Sequence, residues 1–375
     1  MKNPTLISSR RYDIDWLRVI AIGLLLIYHV AIGFQSWGRM IGFITSKEPW
    51  TALWLPMALL NIWRIPLLFF VSGMGVYFAM KSRSWSQLIQ ERTRRILLPF
   101  VFGMFVIVPL HLLVWRYYYG MELKYSWDPG HLWFLGNIFS YVVLLSPILY
   151  LIKKNESGKT VRWIKTALGA PWGLILVLTA FIGEVLLIQP MPFELYAMTW
   201  HGFILGLLAF FFGFCFVLSG EAFWKMIQKW RWVFLLSGLL LYSFRIGQFG
   251  SFPPGYLLAI ESFAWTLTVF AFGSLYLKGP SKTLSYLSQA AYPVYILHMV
   301  FLYLGSLWIF PTAIPVQFQF VLVLLITFVG SFGTFELIRR LPALKPLFGL
   351  SKESRTSVFA DLSSGECSPK TGQPF

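Results

Sequence analysis

Residues 12–30 read YDIDWLRVIAIGLLLIYHV. From Trp16 onward the stretch is apolar apart from Arg18, Tyr28 and His29, and a helix of about 20 such residues crosses a bilayer. Arg18 and His29 are eleven residues apart. At about 100° per residue they return to within roughly 20° of one face, some 16 Å apart along it. Asp15 precedes Arg18 by three residues and is placed to form an ion pair with it. An ionisable group at membrane depth costs about 2.5–3.5 kcal/mol on the insertion scale, so such residues face a cavity, a partner or a substrate path. A spanning helix with a cation near one end and an imidazole near the other points to the fold class and to where chemistry should be sought. The plainer alternative is an interfacial Asp15–Arg18 pair and a hydrogen-bonded core histidine. The stretch lacks a small-residue cleavage site and reads as a signal anchor that stays in the protein.

The rest of the chain extends that pattern. Hydrophobic residues make up 57% of 375 and charged residues 12%, where a soluble domain carries about 25% charged. Apolar stretches fall at 14–36, 52–80, 96–115, 131–152, 170–189, 200–219, 232–249, 256–277, 286–306 and 318–338, which predicts an all-α polytopic membrane protein with about ten transmembrane helices. With the N-terminus inside, the inner segments hold 24 of the 31 Lys and Arg, and the outer loops hold only Arg39, Lys47, Arg116 and Lys124. Both termini are therefore expected to be cytoplasmic. The net charge of +16 follows from this asymmetry, with no nucleic-acid partner implied. Residues 1–345 are expected to form the membrane domain and 346–375 a disordered cytoplasmic tail, poor in apolar surface from Ser351 on. Cys215 and Cys367 give no disulfide framework, and no histidine has metal-ligand spacing, so no metal is expected.

Further ionisable residues stand where lipid does not favour them. His29, His111 and His298 fall in the outer half of their spans, His131 and His201 open helices at the outer face, and Glu184 and Glu261 also lie outward. Arg18, Arg92 and Arg95 occupy the inner half, an arrangement that suits an anionic ligand entering from the cytoplasm. For Arg92, Arg94 and Arg95 the bland reading is a positive-inside anchor. In AAYPVYILHM (290–299), Tyr292, Tyr295 and His298 recur at i, i+3 and i+6 around Pro293, as a packing stripe or as one side of a cavity. Arg64, before Pro66, requires a partner or a cavity, and Arg245 is expected to snorkel toward the outer interface.

Taken together, Arg18 and His29 in the first span, PLLFFVSG (66–73), Arg92 and Arg95, HLWFL (131–135) and YLSQAAYPVYILH (286–298) resemble acyltransferase family 3 in order and over the chain to about residue 345. YDIDWLR, HLWFL and AAYPVYILH look closest to the glucans biosynthesis protein C branch. The resemblance implies a multi-pass enzyme of the bacterial cytoplasmic membrane. Such an enzyme transfers an acyl group from cytoplasmic acyl-CoA (acetyl-CoA or succinyl-CoA) to a carbohydrate or glucan at the outer face. It implies catalysis at His29 and acyl-CoA handling by Arg18, Arg92 and Arg95. His298 and Tyr295 are expected to complete the outer side of the site, with Glu184 and Glu261 as candidates for a further acidic residue. A transporter or flippase for a glycan or related anion, and a non-catalytic scaffold, remain as alternatives, because buried charges also mark translocation paths.

Overall fold

The computed structural model describes residues 11–248 and 253–350. Among them the chain is helical, without a strand. The long helices are α1 (Tyr12–Ile32), α2 (Trp54–Met80), α3 (Trp85–Tyr118), α4 (Trp133–Lys154), α6 (Pro171–Ile188), α7 (Trp200–Leu218), α10 (Gly255–Tyr276), α11 (Lys282–Ile309) and α12 (Val316–Arg340). Among the described residues, these nine are long and apolar enough to cross a bilayer. The tenth predicted span is α9 (Arg231–Gly247), 17 residues long and just under that length. It packs antiparallel to α10, with Gly238 against the Trp265 ring and Arg245 against Glu261. Counting α9, ten passes return the chain to the face it started from.

Two short helices replace predicted inner loops. α5 (Lys159–Leu168) and α8 (Glu221–Lys229) each bury one side, Val161, Ala167 and Leu168 in the first, Phe223, Trp224, Met226 and Ile227 in the second. Lys159 and Arg162 are exposed on α5 and Lys165 is partly so, the pattern of a helix lying along a membrane surface. Arg11 reaches over the Trp224 ring at 3.9 Å, which ties the start of α1 to this basic face.

The predicted third span begins earlier than its apolar letters. Ser84 accepts from the Gln87 backbone, and the Gln87 side chain accepts from the Ser84 N–H, a capping box that starts α3 at Trp85. Within α3, π-helical turns at Thr93–Leu97 and Gly103–Ile107 stand just before Pro99 and Pro109. A proline cannot bond the carbonyl four residues back, and a wider turn absorbs the misfit. The carbonyl that Pro109 frees, that of Phe105, accepts from the Tyr125 hydroxyl at 2.9 Å. In α2, Pro66 frees the carbonyl of Ile62, which accepts from the Tyr196 hydroxyl at 3.1 Å.

α2 packs backbone to backbone on α7. A Cβ on Gly73 would collide with the carbonyl oxygen of Phe210, and one on Gly213 with that of Phe70. Small residues let the two backbones meet, the usual means of tight helix association in lipid. Lys345–Phe348 form a turn, and Phe348, buried, packs its ring on Phe102, so an apolar anchor holds 346–350 against α3. The remainder of the predicted tail, 351–375, lies outside the described residues.

Gly73→Val is expected to abolish or strongly reduce the monodisperse protein recovered in detergent, measured by fluorescence-detected size exclusion. Overpacking of this kind costs about 1–3 kcal/mol even where neighbours relax, and here the neighbour is backbone. Gly75→Val, at a position with nothing within 4 Å of an added Cβ, is the control and is expected to be recovered like wild type.

Candidate active site

His29 lies three residues before the end of α1, where Phe43 of the outer loop meets it edge-on with ring centroids 5.6 Å apart. Its Nδ1 is 2.8 Å from Nε2 of His298 on α11. The other ring nitrogen of His298, Nδ1, is 2.6 Å from the carbonyl oxygen of Tyr295. A carbonyl only accepts, so His298 Nδ1 carries a proton, and in a neutral ring its Nε2 is then the acceptor. His29 Nδ1–H therefore donates to His298, which leaves His29 Nε2 as a lone pair. Orientation of one imidazole by a partner on its far nitrogen is the logic by which histidine bases are held.

Two further histidines complete the cluster. His131, in the turn that opens α4, has its ring centroid 5.0 Å from His298 and donates from Nε2 to the Ile296 carbonyl at 3.1 Å. His111 of α3 lies 5.5 Å from His131 by centroids, and 5.0 Å from Tyr303. The Tyr295 hydroxyl donates to the His131 carbonyl. Four helices thus converge through imidazoles and one tyrosine. The fifth histidine, His201, sits apart and pairs through Nδ1 with Glu184 at 2.8 Å, both side chains about 1% exposed.

A cavity of about 870 Å³ adjoins this cluster. His29, His131 and Tyr295 line it together with Tyr28, Arg64, Glu194, Tyr196 and Arg245, and with the aromatic rings of Trp37, Trp54 and Trp133. Residues 189–197, in the connection from α6 to α7, and 253–256, at the start of α10, line its mouth at the face opposite α5 and α8. His298 is fully buried and does not line it. A second, narrow cavity of about 30 Å³ lies toward the basic face and is lined by Arg18, Ser72 and Tyr292. The two share Leu25, Phe134 and Tyr295 as a common wall.

The predicted arginines gather at the inner end. Arg18 lines the narrow cavity with Tyr292, and Arg92 and Arg95 lie in the neighbourhood of the same tyrosine. Arg18 also pairs with Asp15 at 3.1 Å, while its Nε is buried without a hydrogen-bond partner, as is that of Arg92. Arg95 is half-exposed and pairs with Glu91, which also holds Arg83. The candidate acids are otherwise engaged. Glu261 takes both donors of the Arg245 fork at 2.8 Å, Glu184 takes His201, and neither lines the large cavity. Arg245 does not snorkel: it is buried, bonded also to the Ala58 carbonyl at 2.9 Å and 3.5 Å from Glu194. A paired guanidinium with satisfied donors is held inside more readily than one stretched toward an interface. Glu194 is the acidic residue of the cavity itself, and nothing in its loop sequence sets it apart from a solvated connector.

The acyltransferase domain profile of acyltransferase family 3 matches residues 11–336, which include both arginine-lined and histidine-lined ends. The chain belongs to that family. This acyltransferase is therefore an enzyme, and the carrier and scaffold alternatives fall away. No curated protein and no solved structure matches it.

His298→Leu in the acyltransferase removes the acceptor that fixes the His29 ring and is expected to lower the transfer rate by about 10- to 100-fold, the scale on which orienting partners act. His298→Gln keeps a side-chain oxygen that accepts, and is expected to recover part of that loss at equal protein level. Equal rates for the two variants would count against the orienting role.

Proposed function

We propose that the protein transfers an acyl group, acetyl or succinyl, from acyl-CoA delivered at the basic face to a hydroxyl of a carbohydrate or glucan at the opposite face. The observation that carries this reading is the His29 lone pair. His29 is the one member of the His29–His298–Tyr295 chain whose second nitrogen is left to accept, and its ring borders the large cavity. A hydroxyl is a weak nucleophile near neutral pH, and a positioned imidazole typically contributes about 10²–10⁴-fold.

In the proposed step the sugar oxygen attacks the thioester carbonyl carbon while its proton passes to His29 Nε2. The carbon–sulfur bond then breaks, and the departing thiolate takes that proton, giving the ester and free coenzyme A. His298 positions the base. Tyr295, its hydroxyl engaged by the His131 carbonyl, forms the wall between donor and acceptor spaces. Arg18, Arg92 and Arg95 receive the phosphates of the donor, which suits the planar guanidinium fork.

The charge asymmetry supports placing this end in the cytoplasm, since 24 of 31 Lys and Arg fall in the sequence segments read as inner. The aromatic rings of the opposite cavity supply flat apolar faces against which the C–H faces of a sugar pack. We place the protein in the bacterial cytoplasmic membrane and in the glucans biosynthesis protein C branch on the strength of the motifs YDIDWLR, HLWFL and AAYPVYILH.

Mass spectrometry of envelope glycans from cells with wild type, His29→Ala or no protein, at matched membrane levels, tests the assignment. An acyl mass increment seen with wild type alone is the expected result, and its mass identifies the donor. An increment that persists with His29→Ala would remove His29 from the chemistry.

A further inference from the structure

Arg64 and Arg245 both line the large cavity, and the protein treats them differently. Arg245 is neutralised from within by the two-pronged bond to Glu261, with Glu194 at 3.5 Å. Arg64 is 2% exposed, has no carboxylate in ion-pair range among the described residues, and leaves both Nε and Nη1 without a hydrogen-bond partner. Its guanidinium carbon lies 4.1 Å from the centre of the Tyr28 ring. A ring face attracts a guanidinium but accepts none of the directed bonds its N–H groups make. A buried charge with unmet donors is strongly disfavoured unless a counter-charge arrives. Glu194, the carboxylate of the same cavity, is drawn to Arg245 instead.

The backbone holds Arg64 in that unmet state. Pro66 breaks the hydrogen-bond ladder two residues on, and the freed Ile62 carbonyl is tied to Tyr196 of the cavity mouth, so the segment is fixed on both sides of Arg64. Tyr28, on which Arg64 rests, is the residue before His29. We propose that Arg64 is the anion-binding group of this cavity, taking a carboxylate or phosphate carried by a substrate next to the base. The charged group belongs either to the far end of the acyl chain or to the acceptor sugar. The proposal rests on the acyltransferase reading only in making that ligand a substrate.

Equilibrium binding to the full-length protein in nanodiscs separates the sources with two matched pairs, succinyl-CoA against acetyl-CoA and glucose 6-phosphate against glucose. In wild type one probe that bears the extra anionic group is expected to bind about 10-fold or more tighter than its partner that lacks it, as a charge-assisted bond to a buried donor gives. Arg64→Gln is expected to bring that pair together by weakening the probe with the extra anionic group, and Arg64→Lys to keep part of the preference. A preference in the first pair assigns the acyl carboxylate, and one in the second assigns the acceptor phosphate. Wild type without preference in either pair, or a preference that survives Arg64→Gln or is undiminished in Arg64→Lys, overturns the proposal. Where Arg64→Gln fails to fold, the conservative Arg64→Lys carries the test, a preference reduced from wild type placing the anion at residue 64. Failure to bind coenzyme A itself would count against the donor assignment while leaving the glucose 6-phosphate arm readable.

Discussion

A hydrogen bond between two imidazoles, His29 on α1 and His298 on α11, is the contact on which the catalytic account depends. It joins helices 269 residues apart in the chain, and it works in one direction because the Tyr295 carbonyl has already claimed the other nitrogen of His298. That single carbonyl sets the tautomer of His298, which sets the donor on His29, which leaves Nε2 free to accept a proton. His131 and His111 extend the cluster to α4 and α3, and the Tyr295 hydroxyl closes it through the His131 carbonyl. The setting of the His29 ring is therefore a property of four helices at once.

The surrounding membrane domain follows the rule that polar groups in lipid find partners inside the protein. Prolines are used where their freed carbonyls can be met by tyrosines of the outer connections, Tyr196 for Ile62 and Tyr125 for Phe105. These bonds pin irregular backbone to the spanning helices, and Tyr196 also lines the cavity. Arg245 obeys the same rule through Glu261. Arg64 breaks it within the cavity, and that exception marks where a ligand's charge belongs.

Much of this was legible in the letters. The apolar stretches and the charge asymmetry set out the passes, and the spacing of Arg18 and His29 placed a cation and an imidazole at opposite ends of one helix face. The inner grouping of Arg18, Arg92 and Arg95 has its counterpart in their common neighbourhood around Tyr292. What periodicity does not carry is the pairing between distant helices. Five histidines at one depth look alike in sequence, yet four converge and His201 goes to Glu184. Arg245 read as interfacial because its partner, Glu261, lies across a turn on another helix. Glu194 was invisible, since a carboxylate in a polar connection carries no signal until the loop is folded over a cavity. α5 and α8 were read as loops because their charges were counted without their apolar faces.

The central claim is that donor and acceptor meet at His29 from opposite faces of one membrane. Proteoliposomes with uniformly oriented protein test it directly, with labelled acyl-CoA confined to one side and carbohydrate acceptor to the other. Labelled acceptor is expected when acyl-CoA is at the face bearing α5 and α8 and the acceptor at the mouth of the large cavity, and none when the two are exchanged. Transfer that requires both substrates on the same side would contradict the account.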